Sequence, residues 1–274
     1  MKLRKAFAAS FVNLAALLCS AIFIIPLVVV FLNAFKTRAE SNTMTLRLPT
    51  VWMVENFAVV IERGKLGISF LNSLLYASSG AILIVLVVSA AAFVLSRNHS
   101  KLNRFLYYFM VLGIAMPMSY ISLMRIMQVT QLVNTRIGLI LIYVAINIPI
   151  SLFIMYSFVK HISVEIDEAA IIDGCNAFAL FTRIILPLLS PVIVTICILN
   201  FMAIWNDFTM PLYYLNQSSR WPMTLAVYNF FGMFENQWNY VSANIILTIA
   251  PVLLIFILGQ RYIVDGISAG AVKG

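Results

Sequence analysis

The sequence predicts an all-α, polytopic membrane protein with six transmembrane helices. Hydrophobic residues make up 62% of the 274 residues and charged residues only 10%, whereas soluble domains carry about 25% charged residues. A soluble fold of this length could not bury so much apolar surface. Six segments are apolar over about 20 residues, the length that a helix needs to cross a bilayer. Because lipid offers the backbone no hydrogen-bond partners, each segment is expected to be a helix rather than a strand.

The first segment follows a basic N-terminus. Its apolar stretch from Phe11 to Phe35 is too long for a signal peptide, and no A-x-A-like cleavage site follows it. We therefore interpret it as a span. The loop at 36–69 comes next, and Val54–Ile61 within it is expected to form a short helix. The six predicted spans are 11–34, 70–95, 104–124, 137–159, 188–211 and 242–262.

The Lys and Arg residues near the span ends predict the orientation. Ten of the 18 lie on the side of the two termini and eight on the other side. Lys2, Arg4 and Lys5 precede the first span and outnumber Lys36 and Arg38 after it, and the first span usually dominates. We therefore expect an inner-membrane protein with both termini in the cytoplasm.

The spans divide the chain into three regions. Residues 1–67 contain the first span and an external loop, 68–260 contain the core with an acidic loop at 160–187, and 261–274 form a cytoplasmic tail. The net charge of +8 is spread over the span ends rather than gathered in a long basic run. This distribution favours contact with the lipid bilayer and its anionic headgroups, and we expect no nucleic-acid partner.

The acidic loop is predicted to form a short helix in a chain that is otherwise mostly apolar. Ser163 is a suitable N-cap, and the carboxylates that follow it suit the positive end of the helix dipole. Gly174 tolerates the left-handed conformation that ends many helices. Pro187 marks the point where the chain turns back into the membrane. The three early carboxylates are Glu165, Asp167 and Glu168.

The composition of this helix suggests that it docks on a cytosolic partner. Ala169 and Ala170 share a face with Ile166 and allow another surface to approach closely. Glu168 offers a charge-assisted contact to Arg or Lys on that surface. A solvated amphipathic loop is the alternative. An interfacial helix lying on lipid is less favoured, because such helices usually carry basic polar faces.

The loop also resembles a known motif. The string Glu168-Ala169-Ala170, with Asp173-Gly174 and the later Phe and Pro, closely resembles the EAA loop of permease subunits in bacterial ABC importers. In that family the short helix is a coupling helix that sits in a cleft of the ATPase subunit. The resemblance implies the type I importer permease fold and a coupling role for Glu168, Ala169, Ala170, Asp173, Gly174, Phe181 and Pro187.

Two further stretches resemble the sugar-importer branch of that family. One is Trp205-Asn206-Asp207-Phe208, and the other is the C-terminal tail, which is similar to that of maltose-type permeases. The resemblance implies that Gly270, Ala271, Val272 and Lys273 contact the ATPase. It also implies the partners: a second permease forming a heterodimer, two ATP-binding subunits, an extracytoplasmic solute-binding protein and a sugar substrate moved by alternating access.

Asp207 is the one carboxylate inside a predicted span, and intramembrane charges are functional candidates. It lies 16 residues after Pro191, which is about 24 Å along a helix at about 1.5 Å per residue. This distance places it near the outer surface. We expect Asp207 and Asn206 to have a structural or gating role, and direct contact with the sugar is the alternative. The aromatic residues of 212–241 are expected mostly to form an interfacial belt, with a minority touching the binding protein.

Catalytic chemistry is not expected in this chain. It contains no phosphate-binding loop of the G-x-x-x-x-G-K-[ST] type. His99 and His161 lie at predicted span ends and form no persuasive Ser-His-Asp or Cys-His arrangement, and the three cysteines lack metal-ligand spacing. We expect no cofactor and no metal. An ABC permease for a polyol or an amino acid is a close alternative, an ATP-independent secondary transporter is a more distant one, and a membrane-embedded enzyme is disfavoured.

Overall fold

The computed structural model describes residues 2–230 and 237–271, and every regular element in those ranges is helical. The first half contains α1 (Lys2–Ala34), α2 (Arg38–Ser41), α3 (Glu55–Arg63), α4 (Leu66–Arg97), α5 (Lys101–Leu112), α6 (Tyr120–Val129) and α7 (Arg136–His161). The second half contains α8 (Val164–Ile172), α9 (Ala177–Ala179), a π-helical segment (Leu180–Ile185), α10 (Leu186–Leu188), α11 (Ser190–Asn206), α12 (Thr209–Tyr214), α13 (Met223–Ala226) and α14 (Trp238–Ala271), with 3-10 turns at Ser218–Arg220 and Val227–Phe230.

The chain divides into two compact units, and α14 contributes to both. Unit 1 contains Met1–Gly67 and Ala226–Ala250, and unit 2 contains Ile68–Leu225 and Pro251–Gly274. In unit 1, Asn56 closes the end of α1, because its side-chain amide donates to the carbonyl oxygens of Ala34 (2.8 Å) and Lys36 (2.9 Å). These are carbonyls that the helix itself cannot satisfy. The predicted short helix in this loop is confirmed as α3.

Within the described residues, three helices are long and apolar enough to cross a membrane on their own: Leu66–Arg97, Arg136–His161 and Trp238–Tyr262. The pair Ala177–Leu188 and Ser190–Asn206 is bent by 73° and passes the same test when taken together. Within α1, the stretch Cys19–Ala34 forms a shorter apolar helix. The predicted spans at 70–95, 137–159 and 242–262 therefore correspond to single helices.

The predicted third span, 104–124, is wrong as one continuous helix. The chain leaves the helical conformation after Leu112 and forms a second helix, α6, only from Tyr120. Pro117 explains the break, because it has no backbone N–H and disfavours the helical conformation of the residue before it. Ser119 then caps α6, its side chain accepting a hydrogen bond from the backbone N–H of Ser122 (3.3 Å).

The predicted fifth span, 188–211, is also too long. Helix α11 ends at Asn206, and Asp207 has an extended backbone, with φ −71° and ψ 132°. A separate short helix, α12, follows. The apolar residues on both sides of Asp207 conceal this turn from a reading based on hydropathy alone.

Candidate functional site: the acidic loop and the turn at Asp207

The acidic loop forms the short helix α8, and both of its ends are capped as the sequence predicts. The Ser163 hydroxyl accepts a hydrogen bond from the backbone N–H of Glu165 (3.3 Å). Gly174 ends the helix with φ +83°. Its N–H donates to the Ile171 carbonyl (3.0 Å), and the Cys175 N–H donates to the Ala170 carbonyl (3.0 Å). This bond pair is the Schellman motif, which requires a left-handed residue at the position of Gly174.

An ion pair fastens α8 to the last turn of α4. The Arg97 guanidinium donates from Nε to Oδ2 of Asp167 (2.6 Å) and from Nη2 to Oδ1 (3.2 Å). The same Nη2 also donates to the Ile162 carbonyl (3.0 Å), just before α8. The two side chains are only 16% and 9% exposed. A bidentate pair of this kind fixes direction as well as distance, so α8 cannot rotate freely on α4.

A ring contact makes a second connection to α4. The centroids of Phe181 and Phe93 lie 5.4 Å apart. Phe181 belongs to the π-helical segment, which follows a helix start capped by Asn176 through its side-chain oxygen and the Ala179 N–H (2.8 Å). Pro187 lies exposed in α10, just before the 73° bend into α11. The loop is therefore held to α4 at two places.

The structure separates the two alanines of the motif. Ala170 is 4% exposed and, like Asp167, is covered by its own chain. Ala169 and Glu168 are exposed. Because Ala170 faces inward, its small side chain serves the packing of α8 on its own chain.

The outer side of the loop combines acidic and apolar side chains. Ile172 is 85% exposed, and Phe178, just after the helix, is 77% exposed. Ile171, Val164 and Glu165 are exposed as well. Large apolar side chains in such number beside carboxylates are typical of a protein-binding surface.

The turn at Asp207 is the second candidate site. Its carboxylate accepts hydrogen bonds from the backbone N–H groups of Thr209 (3.2 Å) and Met210 (3.0 Å) and therefore caps α12. The Tyr143 hydroxyl of α7 donates to the same carboxylate (2.9 Å). The Thr224 hydroxyl donates to the Asp207 backbone carbonyl (2.8 Å). The carboxylate thus joins α7, α11 and α12.

A cavity of about 160 Å³ opens beside this turn, and Asp207, Tyr143 and Asn147 supply polar atoms to its wall. Asn206 is exposed at the end of α11. These contacts hold the turn together and leave the polar wall of the cavity open.

Sequence reasoning did not identify two residues that contact these carboxylates. Arg97 and Tyr143 lie 70 and 64 residues from the carboxylates that they contact. Neither separation produces a local pattern. The available signal was an Arg in the last turn of a predicted span and a Tyr inside another, both common features of membrane helices.

The predicted tail contacts fall at the end of α14. The backbone of Gly270 and Ala271 is helical. Val272 and Lys273 lie outside the described residues. Among the described residues, no group of three or more His, Cys, Asp or Glu side chains could hold a metal ion.

The fold matches that of a chain of known structure. The crystal structure of a bacterial ABC transporter involved in the import of the acidic polysaccharide alginate contains a chain that superposes with a TM-score of 0.81. The match covers 92% of this chain and 95% of that one, at 19% sequence identity. The predicted fold class, a helical type I importer permease, is thereby confirmed.

The chain belongs to the family of binding-protein-dependent transport system inner membrane components, whose model matches residues 90–268. It is 32% identical to the probable starch degradation products transport system permease protein AmyC of Thermoanaerobacterium thermosulfurigenes, over 93% of both chains. It is 31% identical to the melibiose/raffinose/stachyose import permease protein MelC of Bacillus subtilis, over 95% of both. It is 33% identical to the diacetylchitobiose uptake system permease protein NgcG of Streptomyces coelicolor, over 94% of this chain and 86% of the relative. The chain is therefore an integral membrane transport subunit.

Proposed function

We propose that this chain is one permease subunit of an ATP-driven importer that takes up a sugar or oligosaccharide delivered by an extracytoplasmic binding protein. The named substrates of its relatives support a carbohydrate, because starch products, melibiose and diacetylchitobiose are all saccharides. The alternatives, a permease for a polyol or amino acid and a secondary transporter, have no comparable support. The active complex contains a second permease and two ATP-binding subunits, which hydrolyse the ATP.

The observation that carries the coupling role is the double attachment of α8 to α4. A partner that pulls on the outer side of the loop acts on Glu168, Ala169 and the apolar side chains beside them. The Arg97–Asp167 pair and the Phe93–Phe181 contact then transmit the displacement to the end of a membrane helix. ATP can change the accessible side only through contacts that differ between the two states. We place that difference at α8, which puts the loop and both termini in the cytoplasm.

The remaining residues of the EAA motif have supporting roles in this scheme. Gly174 and Asp173 set where α8 ends, and Ala170 sets how closely it packs. Phe181 and Pro187 position the return to the membrane. The tail from Gly270 to Lys273 makes a further contact with the ATPase.

The Asp207 turn acts near the outer surface of the membrane, on the side opposite to α8. Its carboxylate holds α12 to α7, so a change in the α7–α11 packing alters the position of α12. We assign Asp207 a gating role and Asn206 a place beside the same gate. Contact of the sugar with the polar wall of the adjoining cavity is the second candidate.

Two substitutions test the coupling role in the complete importer reconstituted in proteoliposomes. Glu168→Lys reverses a charge on the outer side, and Gly174→Val places a β-branched residue in the left-handed region, where it costs about 1–2 kcal/mol. We expect sugar uptake to fall about 5- to 150-fold, the range of typical coupling energies, while the ATPase activity remains but no longer responds to the binding protein. Glu62→Lys in α3 is the matched charge reversal, and Gly174→Asn the matched control at the left-handed position.

Normal uptake by Glu168→Lys and Gly174→Val would contradict the coupling role.

Purification of the complex tests the class of transporter separately. The chain should be isolated with a second multi-span permease and two ATPase copies. Uptake by the chain alone without ATP would make it a secondary transporter.

A further inference from the structure

A second polar site lies in unit 2, between the end of α4, the start of α5 and the end of α7. A cavity of about 610 Å³ opens there. Its charged wall is entirely cationic among the described residues, and tyrosines make up most of the remainder. The basic side chains are His99, Arg104 and Lys160, and the tyrosines are Tyr107, Tyr108 and Tyr156.

The positive charge in this cavity is not neutralised by the protein. Arg104 and Lys160 form no ion pair with any residue that the structure describes, whereas the nearby Arg97 is paired with Asp167. The Lys160 ammonium lies 5.7 Å from the centroid of the Tyr156 ring, a cation–π geometry that keeps it against the cavity wall. The Tyr156 ring in turn stacks on the Tyr107 ring, and the two ring centroids lie 3.9 Å apart. The side chains are thus ordered around an uncompensated cationic space.

An apolar groove adjoins this cationic cavity. It has a volume of about 480 Å³ and lies between α4, α5 and α7. Leu95 lines both spaces. On α7 the lining residues are Leu152, Tyr156 and Lys160, at intervals of four, so they follow one face of the helix from the groove to the cations. The apolar groove therefore continues into the cationic cavity along these helices.

We propose that the two spaces together bind one anionic phospholipid. Arg104 and Lys160 hold the phosphate of the headgroup, the tyrosine hydroxyls donate hydrogen bonds to its oxygens, and an acyl chain fills the groove below Leu95. Basic pockets between membrane helices suit anionic headgroups. A zwitterionic lipid brings its own cation into a space that already holds three basic side chains, so it fits less well.

The leaflet assignment rests on the proposed function. If the loop at 160–187 faces the cytoplasm, the site belongs to the inner leaflet, because Lys160 begins that loop. The headgroup would then lie close to the turn of α4 that carries Arg97. Lipid binding in detergent is independent of this orientation, so its failure can be told apart from a failure of the coupling role.

The test is native mass spectrometry of the complete importer, delipidated in mild detergent and titrated with phosphatidylglycerol or phosphatidylcholine. The double variant Arg104→Gln/Lys160→Gln should bind phosphatidylglycerol about 25-fold more weakly, since each basic residue contributes about a factor of five toward an anionic surface. The matched control Lys101→Gln/Arg183→Gln removes two exposed cations that do not line the cavity and should leave binding unchanged. Single Lys160→Gln should weaken it about fivefold and replaces the double variant if that complex does not assemble.

Three results would overturn the proposal. The first is equal retention of phosphatidylglycerol by the cavity variant and the control. The second is equal binding of phosphatidylcholine by the unaltered complex. The third is displacement of the lipid by excess inorganic phosphate, which would make the cavity a site for free anions rather than for a phospholipid.

Discussion

Two aspartates in unit 2 are held in opposite ways. Asp167 of α8 faces a guanidinium and forms a bidentate ion pair with Arg97. Asp207 accepts hydrogen bonds from neutral donors only among the described residues: the Tyr143 hydroxyl and two backbone N–H groups. The first arrangement depends on one cation in another helix, whereas the second is shared among three weaker donors.

The difference suggests how the two sites work. Removing one partner of a buried ion pair leaves an uncompensated charge, which is costly. An ion pair of this kind keeps α8 attached to α4 when α8 is displaced, which is the property required of a coupling element. A carboxylate held by several neutral donors loses only part of its support when one of them moves. The Asp207 turn can therefore rearrange at lower cost, as a gate must.

The largest effect is expected from Arg97→Ala. It leaves the Asp167 carboxylate buried without its partner, at a cost of about 3–5 kcal/mol to the docking of α8. We expect uptake to be lost and α8 to become accessible to protease or to cysteine labelling at Ala170→Cys, because the Ala170 side chain is only 4% exposed while α8 is docked. Arg183→Ala, an exposed cation of the same loop, is the control. Restored coupling in Arg97→Met/Asp167→Leu would support a fastening role, and unchanged labelling in Arg97→Ala would contradict it.

A smaller effect is expected from Tyr143→Phe. The Asp207 carboxylate loses one donor but keeps the Thr209 and Met210 N–H groups, so the cost is about 1.5–3 kcal/mol, the value of a hydrogen bond to a charged group. A gating role predicts a lower maximal uptake rate, while the ATPase still responds to the binding protein. A sugar-contacting role predicts instead a change in which sugars are transported. The exposed Tyr213→Phe should change neither quantity, and full uptake of the same sugars by Tyr143→Phe would remove both roles.

The comparison also indicates what the sequence could predict. Ser163 and Gly174 carry local signals, a hydroxyl before a helix and a glycine after it, and the structure confirms both caps. Arg97–Asp167 and Tyr143–Asp207 depend on how distant helices pack, which no local pattern encodes. The incorrect span at 104–124 has a different origin. Pro117 indicates a break in the helix, but the hydropathy of its neighbours predicts a continuous one. Composition predicts that the helices exist. The breaks in the helices and the contacts between distant helices depend on single residues.

The smallest effect is expected at a third carboxylate, which extends the comparison to the surface. Glu40 caps α2 together with Thr37, and its Oε1 accepts a hydrogen bond from the Thr50 hydroxyl (2.6 Å). The Thr50 hydroxyl, followed by backbone N–H donors, lowers the pKa of Glu40 below its usual 4.5. Because the folded-state pKa is the lower one, the stabilisation is present above pH 4.5 and is lost as the pH falls through the folded-state pKa.

Thr50→Val removes the main cause of this shift. We expect the pKa of Glu40 to rise toward 4.5, as measured by NMR titration of ¹³C-labelled glutamate carboxyls in detergent. Thermal stability at neutral pH should be almost unchanged, because an interaction of a half-buried carboxylate at the surface contributes little. Thr43→Val is the matched control, since the Thr43 hydroxyl donates to the backbone carbonyl of Glu40 and not to its carboxylate. A loss of stability in Thr50→Val as large as that in Tyr143→Phe would contradict the small effect expected for a hydrogen bond to a carboxylate at the surface.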